Sequence, residues 1–234
     1  MRFSIVSLFS EYFDGPLSTS MMLHAREKGI VAVDCVSIRD FATDKHKSVD
    51  DRPFGGGPGM VLMPGPVVSA VRSVGTPESL VVFLSPQGER LTSTMCEVLG
   101  SEEKHIVLLS GHYEGVDQRA LDILAEEFRF REVSVGDFIL PSGMPATLCV
   151  IEAVARFVPG FIGNPEGVRD ETFHTDSGFE GPLYTRPVTF EGRGVPEVLL
   201  SGHAAKIKQW RNDSGRAKMK TRRGEHGSIC PKNS

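Results

Sequence analysis

Long apolar runs are missing from this sequence of 234 residues. The longest clean ones are about as long as residues 80–84, far short of the roughly 20 residues a bilayer requires. That argues against a membrane-spanning helix. The opening stretch, Met1-Arg2-Phe3-Ser4-Ile5-Val6-Ser7-Leu8-Phe9, alternates like a strand and meets Glu11 and Asp14 too early for a secretory leader. A cytoplasmic protein is expected. Cysteine is scarce, and Cys35, Cys96, Cys149 and Cys230 form no C-x-x-C pair. A disulfide frame is therefore not expected, in keeping with a reducing compartment. Cys149, in an apolar helical stretch, reads as a small core residue. The seven histidines also lack ligand spacing, so no structural metal site is expected.

Two phosphate-binding signatures are absent as well. The glycine-rich run Asp50-Asp51-Arg52-Pro53-Phe54-Gly55-Gly56-Gly57-Pro58-Gly59-Met60 is not followed by Gly-Lys-Ser/Thr, which argues against a P-loop. Its glycines suit a loop that approaches a bulky substrate closely. No G-x-G-x-x-G follows a strand either, so no pyrophosphate site at a helix N-terminus is indicated. Small-ligand recognition then falls to backbone amides and carbonyls.

What is present is a soluble-type composition, 40% hydrophobic and 24% charged, with a repeated event. The run Val81-Val82-Phe83-Leu84 reads as a buried strand stopping at Ser85-Pro86-Gln87-Gly88. Ile106-Val107-Leu108-Leu109 leads into Ser110-Gly111-His112-Tyr113-Glu114-Gly115. A third strand leads through Val133-Ser134-Val135-Gly136-Asp137-Phe138-Ile139-Leu140 to Pro141-Ser142-Gly143. Three strands with glycine-bearing polar ends predict one pocket at the carboxyl edge of a parallel sheet. Further strands are expected at 2–8 and 31–37, with helices at 19–28, 66–74, 92–99 (Gly100 as its stop), 116–127 and 146–158. This βα repeat predicts an α/β fold. Beyond Pro159-Gly160 the chain turns polar and glycine-rich. The expected division is a first domain at 1–160, a linker at 161–175 and a small, mostly helical second domain at 176–234, with a helix at about 202–213.

Charge is uneven. From Ser201 onward stand Lys206, Lys208, Arg211, Arg216, Lys218, Lys220, Arg222, Arg223 and Lys232 against Asp213 and Glu225, a balance of +7. The overall net charge of −4 therefore leaves −11 on the first 200 residues. A basic tail on an acidic body is the footprint of polyanion binding, although a solvated helix gives the same pattern.

Seven motifs occur in order: residues 50–60, Leu84-Ser85-Pro86-Gln87-Gly88, Gly111-His112-Tyr113-Glu114-Gly115, Gly136-Asp137-Phe138-Ile139-Leu140, Arg156-Phe157-Val158-Pro159-Gly160, Tyr184-Thr185-Arg186-Pro187 and Val198-Leu199-Leu200-Ser201-Gly202. Together, over about residues 1–223, they closely resemble the bacterial tRNA (guanine-N1)-methyltransferase family, TrmD. The resemblance implies a SPOUT-type α/β domain with a deep trefoil knot, and a homodimer with interfacial active sites. It also implies S-adenosylmethionine as cofactor and the guanosine just 3′ of the tRNA anticodon as substrate. Carried onto this sequence, the cofactor residues are Leu84, Ser85, Pro86, Gln87, Gly111, Tyr113, Glu114, Gly115, Val135, Gly136, Asp137, Phe138, Ile139, Leu140, Ser142 and Gly143. Substrate contacts fall on Arg52, Gly55, Gly57, Gly59, Arg186, Lys206 and Arg211.

Arg156 matches the family's arginine near guanine O6. The family's base is an aspartate in Asp-Ser-Phe, where this chain reads Asp170-Glu171-Thr172-Phe173. Alignment points to Glu171 and side-chain type to Asp170. A second departure is Leu140-Pro141-Ser142-Gly143-Met144-Pro145 in place of Leu-Ser-Gly-Gly-Glu, and proline removes one backbone donor. The tail departs too, and the last ten or so residues are expected to fray. Trp210 reads either as an RNA contact or as the anchor of the C-terminal helix in its own small core. Competing readings are a knotted methyltransferase for ribosomal RNA, a silent RNA-binding module and a nucleotide hydrolase. The 50–60 and 184–187 motifs argue against the first. Only the altered 141–142 and 170–171 segments favour the second.

Overall fold

The computed structural model describes residues 1–163, 172 and 179–226, with 222–226 described as backbone only. Two compact units follow one another, Met1–Gly163 and Asn164–Ser234.

The first unit is built on five strands: β1 (Arg2–Ser7), β2 (Ala32–Ser37), β5 (Leu80–Arg90), β6 (His105–Ser110) and β7 (Arg129–Ser134). Their spatial order is β2-β1-β6-β5-β7, and every pairing is parallel. Leu80, Val82 and Leu84 enter one core and Val81 and Phe83 the other. Ile106 and Leu108 alternate with Val107 and Leu109 in the same way. Near-continuous apolar strands arise because helices cover both faces. Helices α1 (Asp14–Leu17), α2 (Ser20–Glu27), α4 (Ser93–Glu102) and α6 (Met144–Ala155) bury residues in the first core. Helices α3 (Pro64–Val74) and α5 (Gln118–Glu127) do so in the second. Each fully buried Leu, Ile or Val contributes about 1.5–3 kcal/mol.

Several boundaries differ from expectation, each for a local reason. α5 starts at Gln118, because the Asp117 carboxylate accepts the Arg119 N–H at 3.0 Å. α6 starts at Met144, with Pro145 in its first turn, where a missing N–H is harmless. α4 runs through Gly100 to Glu102. A Cβ on Gly100 would stand 2.6 Å from the Val154 carbonyl oxygen and 2.7 Å from Phe157 Cβ, so this glycine permits a close helix approach and is not a stop. Cys149 is exposed, not a core residue, because Val150, Ile151 and Val154 take the buried face of α6. It is Cys96 that is buried.

β5 does not end at Ser85. Leu84 and Glu89 both lie opposite Val133, so residues 85–88 are extruded and the strand then resumes beside β7. Gly88 is required at the rejoining point, where a Cβ would stand 2.6 Å from the Glu132 carbonyl oxygen. The glycine-rich run is the tip of a hairpin, with β3 (Asp50–Asp51) antiparallel to β4 (Val61–Leu62).

In the second unit, β8 (Thr189–Phe190) and β9 (Arg193–Gly194) form a hairpin through Glu191 and Gly192, both at positive φ. Then come α7 (Glu197–Leu200) and α8 (Ala204–His226). α8 extends well past the expected end near 213, through Gly215, which packs against the Phe179 carbonyl. The Trp210 and Tyr184 rings are 6.2 Å apart, which anchors α8 within its own unit. The expected linker at 161–175 lies mostly outside the described residues, as do Cys230 and the final eight positions. No helix among the described residues is long and apolar enough to cross a membrane.

Candidate functional site

β6, β5 and β7 are neighbours in the sheet, so their carboxyl ends converge. They enclose a cavity of about 410 Å³, within the ~300–1,000 Å³ usual for small-molecule sites. One wall is Leu84 and the extruded segment of β5 that follows it, with Ser85, Pro86 and Gln87. The second is the loop after β6, with Gly111, Tyr113, Glu114 and Gly115. The third is the segment after β7, with Val135, Gly136, Phe138, Ile139, Leu140, Ser142 and Gly143.

Backbone geometry holds these walls. The Gly143 N–H donates to the Gly111 carbonyl at 2.8 Å, and a Cβ on Gly143 would stand 2.9 Å from the Gly111 nitrogen. Glycine permits this close approach. Tyr113 has φ +58°, a left-handed conformation uncommon for a side chain of its size. Its ring stands edge-on to His112 at 4.6 Å, and His112 stands edge-on to Phe9 at 5.4 Å. Nδ1 of His112 is buried without a hydrogen-bond partner, as is Oγ of Ser110 below it in sequence. Burial pushes the His112 pKa below its ordinary value, opposed by Asp50 and aided by Arg39.

A family model described as tRNA (Guanine-1)-methyltransferase TrmD matches residues 1–226. The chain belongs to that family. Among similar curated proteins, each called tRNA (guanine-N(1)-)-methyltransferase, the one from Protochlamydia amoebophila is 46% identical over 213 residues, covering 91% of this chain and 93% of the relative. That of Carboxydothermus hydrogenoformans is 43% identical, covering 90% and 81%. A Chlamydia pneumoniae relative is 45% identical over 95% of this chain and 60% of its own length.

Other residues matched to TrmD motifs lie elsewhere. Asp137 is not on the cavity wall, and its carboxylate meets the Arg90 guanidinium, raising the arginine's pKa. Arg156 is half-buried as the residue closing α6, also off the wall. Arg52, Gly55, Gly57 and Gly59 are exposed on the hairpin tip. Arg186, Lys206 and Arg211 are exposed in the second unit, the last two on α8. Asp170 and Glu171 lie outside the described residues. Among the described residues no three His, Cys, Asp or Glu come together as metal ligands.

The cavity is also lined by Phe83, His112, Val116, Gln118, Leu121, Glu132, Val133, Ser134 and Ala146, none of them among the expected cofactor residues. His112 carried a signal, since it stands inside the Gly111–Gly115 motif. Glu132 and Gln118 carried none, because their roles depend on strand pairing and on where α5 begins.

Proposed function

We propose that this chain transfers a methyl group from S-adenosylmethionine to N1 of the guanosine immediately 3′ of the anticodon in tRNA. The observation that carries this reading is the single cavity formed by three family motifs at one sheet edge. The cavity suits such a cofactor. It joins apolar walls at Leu84, Val133 and Leu140 to polar groups at Gln87, Glu114 and Ser142, and Gly111 and Gly143 line it without side chains. When bound, the cofactor supplies an electrophilic sulfonium methyl.

N1 of guanine carries a proton and is a weak nucleophile. Attack on the sulfonium methyl would form the N1–carbon bond as the sulfur–carbon bond breaks, leaving the neutral thioether, and the carboxylate of Asp170 or Glu171 would take the N1 proton, a contribution of about 10²- to 10⁴-fold. Negative charge shifts toward O6, where the Arg156 guanidinium stabilises it. Holding N1 in line with the methyl adds a proximity effect.

The same proposal includes a trefoil knot around the cavity, and the 135–143 segment does return to the end of β6, where the Gly143 N–H meets the Gly111 carbonyl and Ser142 bridges His112. It includes a homodimer, supported by Phe138 and Ile139, which are 55% and 80% exposed at the cavity rim. Residues 1–160 act as the methyltransferase domain and 176–234 as a basic tRNA-binding domain, joined by 161–175. Acting on tRNA places the protein in the cytoplasm.

The test is methyl transfer from labelled S-adenosylmethionine to a tRNA transcript by wild type, Asp170→Ala, Glu171→Ala and Arg156→Ala, with cofactor binding measured alongside. One carboxylate variant and R156A should lose transfer by about 10²-fold or more while still binding cofactor. Cofactor binding by the wild type with no transfer to tRNA would favour a silent RNA-binding module instead.

A further inference from the structure

The hairpin of β3 and β4 is sewn to the cavity loop. The Glu114 N–H donates to the Met60 carbonyl at 3.1 Å, and the Leu62 N–H to the Gly115 carbonyl at 3.0 Å. The Asp117 N–H donates back to the Leu62 carbonyl at 3.0 Å. Leu62 and Val116 form a parallel bridge at the same place. The polar backbone of residues 114–117 is thus satisfied largely by residues 60–62. Any displacement of the hairpin must be transmitted to this cavity wall.

Four glycines of the tip adopt left-handed backbone: Gly55 (φ +87°), Gly56 (+82°), Gly57 (+119°) and Gly59 (+80°). A Cβ added to any of the first three meets nothing within 4 Å. At Gly59 it would stand 2.8 Å from Cδ of Glu114, with Cγ and Oε1 nearer still. The Glu114 side chain therefore lies across the bare Cα of Gly59. A Cβ at Gly59 must be met by rotation of the exposed Glu114 side chain or by parting of the two segments, whose backbones are held together at Glu114 and Met60.

We infer that Gly59 is a positioning residue for the cofactor cavity: by leaving room for the Glu114 side chain, it lets the hairpin hold residues 114–116 in their place. This differs from a substrate contact, which its position in the glycine-rich tip alone suggests. The inference rests on the cofactor reading given above.

The test is calorimetric binding of S-adenosylmethionine to the full chain, with thermal melts run alongside. Gly59→Ala should weaken binding by about tenfold or more, an order set by displacing one wall of the site. Gly56→Ala carries nearly the same backbone strain without the collision, and should bind cofactor like wild type. In the double variant G59A/E114A the penalty of G59A should largely vanish relative to E114A alone, since the colliding group is gone. A melt that falls equally for G59A and G56A, with equal cofactor affinities, overturns the inference. So does a G59A protein that binds cofactor normally. Failure of the wild type itself to bind S-adenosylmethionine would instead sink the cofactor reading.

Discussion

His105 on β6 bridges two buried hydroxyls, with Nε2 2.9 Å from Ser4 Oγ and Nδ1 2.8 Å from Ser79 Oγ. Either hydroxyl can donate or accept, so the neutral ring is satisfied in both tautomers. Burial lowers its pKa, Arg2 lowers it further, and Asp34 opposes both. A histidine depressed below its ordinary value of about 6.5 binds its proton more readily in the unfolded chain. Its contribution is whole above about pH 6.5 and is lost as pH falls toward the folded value. The gap in melting temperature between wild type and His105→Gln should therefore be wide near pH 8 and narrow near pH 5. A gap independent of pH would contradict this assignment. Residue-scale features of this kind are poorly legible beforehand. Nothing in Lys104-His105-Ile106 announces that Ser4 and Ser79 will meet its ring, because both partners arrive through strand packing. The extruded Ser85–Gly88 motif was legible as a break and a ligand wall. Its return to the strand was not, since that depends on the register against Val133.

The strands were the most readable elements. Runs such as residues 80–84 and 106–109 are apolar at every position because both sheet faces are covered, and few other settings tolerate that. Helix ends were harder to place, for a glycine can be a stop or a contact. Gly100 resembles a C-terminal stop in sequence, yet α4 continues past it and rests there on the end of α6. Gly100→Ala should gain helix propensity of about 1 kcal/mol. Collision with the Val154 carbonyl and Phe157 should cost about 1–3 kcal/mol. The net effect expected in urea unfolding is loss of stability. An alanine variant as stable as wild type or more so would show that α4 and α6 can part without penalty.

Over the whole molecule, charge divides later than architecture: the units part after Gly163, whereas the basic balance begins at Ser201. The first unit carries the cavity and most of the acidic excess, and the second carries α8, where Lys206, Lys208 and Arg211 are exposed. The double variant Lys206→Ala/Arg211→Ala should weaken tRNA binding across sequences and reduce its salt dependence. The slope of log K against log salt should fall by roughly 0.7–0.9 for each phosphate that is no longer neutralised. Cofactor affinity should not change. An unaltered slope would mean that these side chains are merely solvated. The length of α8 could not be read from its charges, because Gly215 and Gly224 interrupt a run that the fold continues. At Gly215 the missing side chain is explained by the Phe179 backbone packed there.

Under the proposed function, one cavity at the sheet edge serves methylation of a single guanosine. Nucleoside analysis decides this, on tRNA incubated with the protein and S-adenosylmethionine. One transcript carries guanosine 3′ of the anticodon, and a second carries adenosine there instead. The expected result is 1-methylguanosine at that position in the first transcript and none in the second. Methylation of both transcripts, or of neither by a protein that binds the cofactor, would contradict the proposal.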